Sequence, residues 1–274
     1  MSTARNDGRS QGEVVLEARG LSKSYGPIEA LKDVDLVVRR GTLTAIVGDN
    51  GAGKTTLMKI LSGALRRDHG EVVLRGEPRH FASPLQARQA GIETVYQDLA
   101  LAPNLDAVAN IFLGRELMWH MFGIPFPLFR VLDRRKMRRL AMAEIERLDV
   151  KIPRLTGVPV GQMSGGQRQA VAIARAAYWA SDVLLMDEPT AALGVAESRA
   201  VLALVRKVLD DGMAVVMISH VMPHVIELAD DVVVLRHGLK MADLPAEGLR
   251  TQDVVQLIVG ERDALRTGGE GLES

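Results

Sequence analysis

The run GDNGAGKTT, Gly48 to Thr56, constrains this chain more than any other stretch. It follows an apolar, strand-like segment, Leu43 to Val47, and leads into a helical segment from Lys54 to Ala64. A strand that turns on glycines into a helix aims successive backbone N–H groups and the positive helix end at one point, which suits phosphate oxygens. Gly48, Gly51 and Gly53 allow backbone paths that a side chain would block, and Asp49, Asn50 and Ala52 complete the loop. In the pattern G-x-x-x-x-G-K-[ST], Lys54 falls against the β- and γ-phosphates, Thr55 offers its hydroxyl to Mg²⁺, and Thr56 adds a phosphate contact.

Cleaving such a phosphate requires a metal ligand and a base. The run VLLMDEPT, Val183 to Thr190, puts adjacent carboxylates at the end of a buried strand. Successive residues there point in different directions, so Asp187 is expected to face the metal and Glu188 the attacking water. A second apolar run, Ala214 to Ile218, ends in Ser219 and His220, whose imidazole could contact the γ-phosphate or hold the water and Glu188 in register. Gln97 follows the strand-like run Ile92 to Tyr96, where its amide oxygen could ligate the metal and sense the γ-phosphate. The expected catalytic residues are Glu188, His220 and Gln97, and the expected metal ligands are Thr55, Gln97 and Asp187.

A further segment, MSGGQRQ from Met163 to Gln169, completes an ordered set: phosphate loop, Gln97, MSGGQ, VLLMDEPT and His220. From about Glu13 to Glu261 the chain resembles the nucleotide-binding subunit of the ATP-binding cassette (ABC) transporter family. That resemblance implies ATP as ligand and a second cassette copy as partner, because in the family the MSGGQ-type turn of one subunit closes over the γ-phosphate held by the other. Ser164, Gly165, Gly166 and Gln167 are therefore expected at the nucleotide. Ser164 can cap the following helix, and Gly165 and Gly166 leave N–H groups open to an anion. Met163 stands where the family usually has Leu. The resemblance also assigns Tyr25, in KSYGPIEAL, to stacking on adenine.

The strings GDNGAGK, GIETVYQ and TAALGVAES resemble the ATPases of bacterial monosaccharide importers, of the single-cassette fructose or ribose type. Gly194 stands where the family commonly has an Asp that reaches across the dimer. This implies a homodimer at the cytoplasmic face of the plasma membrane, held by transmembrane permease subunits. It also implies an indirect partner, a periplasmic or extracellular sugar-binding protein. Import of another small polar solute is the alternative. A soluble ABC ATPase acting on nucleic acid or ribosomes is a weaker one, since the chain has neither tandem cassettes nor a long coiled-coil insertion.

Composition sets the remaining bounds. At 274 residues and 47% hydrophobic, the chain can bury one large core. Equal numbers of basic and acidic residues, 34 each, give no general attraction to nucleic acid. The basic cluster Arg134, Arg135, Lys136, Arg138 and Arg139 runs into AEIER and reads as a solvated helix face. With no cysteine, disulfides and thiolate metal sites are excluded. The longest apolar region, Ile111 to Leu132, carries Arg115, Glu116, His120, Arg130 and two prolines, so it cannot be an uninterrupted transmembrane helix.

Apolar runs alternating with helices predict an α/β phosphate-loop fold, with a mostly parallel sheet flanked by helices, an antiparallel β part and an inserted helical subdomain over about 99–180. The cassette is expected over 13–262, between a flexible leader, 1–12, and a flexible tail, 263–274. The stretch from Leu99 to Pro159 reads as helical, and the last strand is expected at Val232 to Leu235. The segment Met118 to Phe129 gathers Trp119, Phe122, Phe126 and Phe129, which would either line a groove for a permease helix or pack the lobe's own core.

Overall fold

The computed structural model describes residues 12–121, 124–125, 131–150, 152 and 155–259. The expected leader up to residue 11, the tail 263–274, and Phe122, Phe126 and Phe129 lie outside the described residues.

The chain opens with a long antiparallel hairpin, β1 (Val14–Tyr25) and β2 (Ile28–Arg39), followed by β3 (Leu43–Val47) and α1 (Lys54–Leu61). Next come β4 (His69–Leu74), β5 (Glu77–Arg79), α2 (Pro84–Ala90), β6 (Ile92–Val95) and α3 (Ala107–Ile111). The short strands β7 (His120–Met121) and β8 (Ile124–Pro125) pair antiparallel before α4 (Arg134–Arg147). The second half runs α5 (Gly165–Trp179), β9 (Val183–Asp187), α6 (Val195–Asp210), β10 (Ala214–Ile218), α7 (Met222–Leu228), β11 (Asp231–Arg236), β12 (Leu239–Pro245) and α8 (Thr251–Val259).

One sheet has the order β2-β1-β4-β5 and is antiparallel, and the other has the order β12-β11-β3-β10-β9-β6 and is parallel except at β11–β12. The parallel strands read as unbroken apolar runs because both their faces are covered. Alternate residues enter different cores, as the two-residue period of a strand requires. Leu184, Met186, Val215 and Met217 pack with α5 and α6, whereas Val183, Leu185, Val216 and Ile218 pack with α1 and the antiparallel sheet.

A third, smaller core lies where α3, α4 and α5 meet, around Val108, Ile111, Phe112, Met137 and Ala141. Phe112, fully buried, meets Tyr178 and Trp179 edge to face at centroid distances of 5.3 and 5.8 Å. The Asp133 carboxylate caps α4, accepting from the Lys136 N–H at 2.9 Å.

Three sequence expectations need correction. The region 99–159 is not uniformly helical, because the two-stranded hairpin and a Met118–Leu132 bridge separate α3 from α4. Pro125, in β8, has no N–H to give to a helical hydrogen bond, which disfavours an unbroken helix there. β11 is not the last strand, since β12 folds back on it. β12 escaped notice because its residues after Leu239 are all partly buried and so show no alternation of apolar and polar positions. The first hairpin also runs well past the short apolar runs Val14 to Ala18 and Val34 to Val38, which read in the sequence as strands by themselves.

Candidate active site

Strand register brings the separated motifs to one edge. Val95 pairs with Met186, Asp187 with Ile218, and Ile218 with Ile46, so the residues after β6, β9, β10 and β3 emerge side by side. These residues are Gln97, Glu188, His220 and Gly48, at the carboxyl ends of the parallel strands where α/β sheets bind ligands.

The loop 48–53 is shaped by its glycines. Gly48 has φ 146° and lies so close to β11 that a Cβ there would sit 2.1 Å from the Leu235 carbonyl oxygen. Gly53 has φ 104°, and a Cβ on it would come within 2.5 Å of the Ala30 carbonyl oxygen of β2. Helix α1 begins at Lys54 with no side-chain cap on its first N–H groups, which leaves them to an outside acceptor. Lys54 Nζ donates to the carbonyl oxygens of Gly48 and Asp49 at 2.7 and 2.8 Å, spanning the loop from within. Asp49, Asn50, Gly51 and Thr55 are exposed, Thr56 is half-buried and Ala52 is buried.

Burial lowers the Lys54 pKa, while the charges of Glu188, Asp49 and Asp187 oppose that shift. The Asp187 pKa is raised, first by burial and then by Glu188, with Lys54 and Lys59 opposing. Burial is the first cause of both shifts, and the repulsion between the adjacent carboxylates Asp187 and Glu188 is one that a bound cation would relieve. Glu188 adopts φ 51°, a left-handed conformation unusual for a non-glycine residue, and its N–H donates to the Ile218 carbonyl at 3.0 Å. His220 Nδ1 lies 3.2 Å from Glu188 Oε1. Tyr25 is 47% exposed at the tip of the first hairpin, with Lys23 Nζ 6.0 Å from its ring centre.

The MSGGQ turn forms the start of α5. Ser164 Oγ accepts from the Gln167 N–H at 3.3 Å, and Gln167 Oε1 accepts from the Ser164 N–H at 3.1 Å, a reciprocal capping box. The expectation that both glycine N–H groups stand open is corrected for Gly166, whose N–H donates to Glu197 Oε1 at 3.3 Å. Among the described residues, no hydrogen bond or ion pair joins the loop 48–56 to the turn 163–167.

Two residues were overlooked in the sequence. Arg175 on α5 donates to the Ala100 and Leu99 carbonyls at 2.7 and 2.8 Å, fastening the turn that follows Gln97. Nothing local in the sequence signals a contact between residues so far apart. Glu197 was detectable, since an acid three residues after Gly194 at a helix start is a capping pattern.

The donors fit a hard divalent cation. Among the described residues no cluster of three or more His, Cys, Asp and Glu could hold a metal unaided. The Thr55 hydroxyl, the Gln97 amide oxygen and the Asp187 carboxylate are oxygen donors, the set a Mg²⁺ ion takes when phosphate oxygens complete its shell.

A glycine loop between a parallel strand and a helix, with adjacent carboxylates on the second strand over, defines a phosphate-loop nucleotide hydrolase, and the MSGGQ sequence of the turn that starts α5 narrows the class to ABC cassettes. Residues 31–191 match the ABC transporter family. The chain belongs to that family and is one of its ATP-hydrolysing cassettes. It is 46% identical over 254 residues to the fructose import ATP-binding protein FrcA of Rhizobium meliloti, covering 93% of this chain and 97% of that protein. It is 40% identical over 246 residues to the ribose import ATP-binding protein RbsA 2 of Escherichia coli O157:H7, covering 90% of this chain but 46% of that protein. A solved structure described as the dimeric post-hydrolysis state of the ATP-binding cassette MJ0796, bound to ADP and Pi, superposes with a TM-score of 0.70. That likeness is at 25% identity and covers 85% of this chain and 100% of the other.

Proposed function

We propose that this chain energises uptake of a monosaccharide by hydrolysing ATP between two copies of itself, docked on separate permease subunits at the cytoplasmic face of the plasma membrane. The observation that carries the dimer is the separation just described: among the described residues, no hydrogen bond or ion pair joins the phosphate loop to the glycine turn, so neither completes the other within one copy. A second copy supplies the missing half. Relatives named for fructose and ribose import support a monosaccharide as cargo. A sugar-binding protein outside the membrane would deliver it. No helix among the described residues is long and apolar enough to cross a membrane, so permease contacts would hold the cassette there.

In this reading loop 48–53, Lys54 and Thr56 hold the triphosphate tail, and Tyr25 stacks on the base. Thr55, Gln97 and Asp187 hold Mg²⁺, which when bound would neutralise charge on the phosphate oxygens. Glu188 takes the proton of the attacking water, with His220 keeping its carboxylate in place. Ser164, Gly165, Gly166 and Gln167 of the partner close over the γ-phosphate. ATP does work because it binds the closed pair better than the open one, so closure and reopening drive the permease between two orientations. The subdomain over about 99–180 would carry that motion.

The test is complementation. Cells lacking this chain should lose uptake of one monosaccharide and regain it with the wild-type chain but not with Lys54→Ala. Unchanged uptake of every monosaccharide tried would remove sugar import from the account.

A further inference from the structure

The carboxylate on Gly166 belongs to this chain, and its position is informative. Glu197 Oε1 accepts from the Gly166 N–H at the start of α5, and Oε2 accepts from the Gly194 N–H at the start of α6, each at 3.3 Å. A Cβ on Gly166 would lie 3.0 Å from the Glu197 side chain, so the acid packs directly over the glycine turn. The contacts hold its pKa below the usual carboxylate range, the Gly166 bond contributing most, then Gly194 and Ser164.

We infer that Glu197 is a resident stand-in for the γ-phosphate: it holds the capping turn until a partner's nucleotide displaces it, and its displacement frees the loop leading back to Glu188. This rests on the dimer proposed above. The Gly166 N–H that it takes is a donor that a γ-phosphate would need, and one N–H cannot serve both anions at once. A terminal phosphate carries more charge and more oxygens than a carboxylate, so it wins the turn when closure delivers it.

Displacement then has a second effect. Gly194 is tied to Glu188 by a short run of turns, with the Ala191 N–H donating to the Glu188 carbonyl at 3.2 Å and the Leu193 N–H to the Thr190 carbonyl at 3.3 Å. Nucleotide in one composite site therefore loosens the loop that carries the base of the other. With Gly194 where the family commonly has an Asp reaching across the dimer, this route lies within one chain. Glu197 is a positioning residue in this scheme, since it touches neither ATP nor water.

The test uses the full chain with Glu197→Gln, which keeps a capping side chain but loses the charge, and with Glu197→Asp, too short to span both glycines. ATP-driven dimerisation is followed by light scattering and hydrolysis by phosphate release. The expected result is a half-saturating ATP concentration lowered about three- to tenfold in both assays, with kcat altered less than about twofold. A purely structural cap would instead lower the melting temperature and leave that concentration unchanged or raised. Variants that melt like wild type and need as much ATP as wild type overturn the inference alone. If wild type neither dimerises nor turns over with ATP, the inference and the proposed function fall together.

Discussion

Arg175→Ala should detach the Gln97 turn from the helix that carries the capping motif. Its guanidinium donates to the carbonyls of Leu99 and Ala100 at 2.8 and 2.7 Å, and both residues sit in left-handed backbone conformations with φ 62° and 44°. Such conformations cost about 1–3 kcal/mol each in non-glycine residues and persist only when the surroundings enforce them. A hydrogen bond from a charged group is worth about 1.5–3 kcal/mol net, and water will partly replace the donors at this half-exposed turn. Taking the lower bound for two bonds gives a loss of about 3 kcal/mol. In a domain of this size that lowers the melting temperature by about 6–12 °C. Gln97 lies two residues from the released turn, and misplacing a catalytic group by about 1 Å can cost on the order of a hundredfold in rate. Calorimetry should show the melting shift, and phosphate release should show a fall in kcat larger than the change in ATP affinity. Arg175→Lys, able to reach one carbonyl, should lose about half as much stability. An Arg175→Ala chain melting within about 1 °C of wild type and turning over normally would refute the reasoning.

Glu188→Gln should slow phosphate release by about a hundredfold or more while ATP binding persists, because the amide cannot accept the water's proton. Normal turnover in that variant would move the base elsewhere. Asp187→Asn should abolish hydrolysis yet raise the nucleotide-free melting temperature near neutral pH. The folded chain holds the Asp187 pKa above its ordinary value, so ionised Asp187 opposes folding at pH above that raised pKa. The opposition fades as pH falls through the raised value and vanishes below the unfolded pKa, where both states are protonated. The stability gain of Asp187→Asn should therefore shrink with acidification, and a gain independent of pH would contradict this account of the cleft.

Much of this could be read in the sequence because the relevant forces are local. The strands Leu43–Val47 and Ala214–Ile218 have the bounds their patterns predict, since apolar runs closed by glycine or a polar pair leave little freedom. Polar strand ends carry no such signal, as at Lys23 to Tyr25, where pairing with Ile28 to Leu31 rather than hydrophobicity extends the strand. The hairpin between α3 and α4 was misread because a glycine- and proline-broken aromatic stretch has no period of its own. At the site, residue types marked the loop and the carboxylates, but no local pattern shows that Gly166 is covered by Glu197 or that Arg175 holds Leu99. Those contacts join residues 31 and 76 positions apart and exist only after the helices pack.

The central claim is that one copy's phosphate loop faces another copy's glycine turn across a shared ATP. The absence of cysteine allows single thiols to be introduced without background, and Asn50 and Ser164 are both exposed. When chains carrying Asn50→Cys are mixed with chains carrying Ser164→Cys and oxidised, MgATP should produce a disulfide-linked pair that ADP or no nucleotide does not. Failure to form that pair under any nucleotide, with ATP hydrolysis intact in the same mixture, would contradict the account.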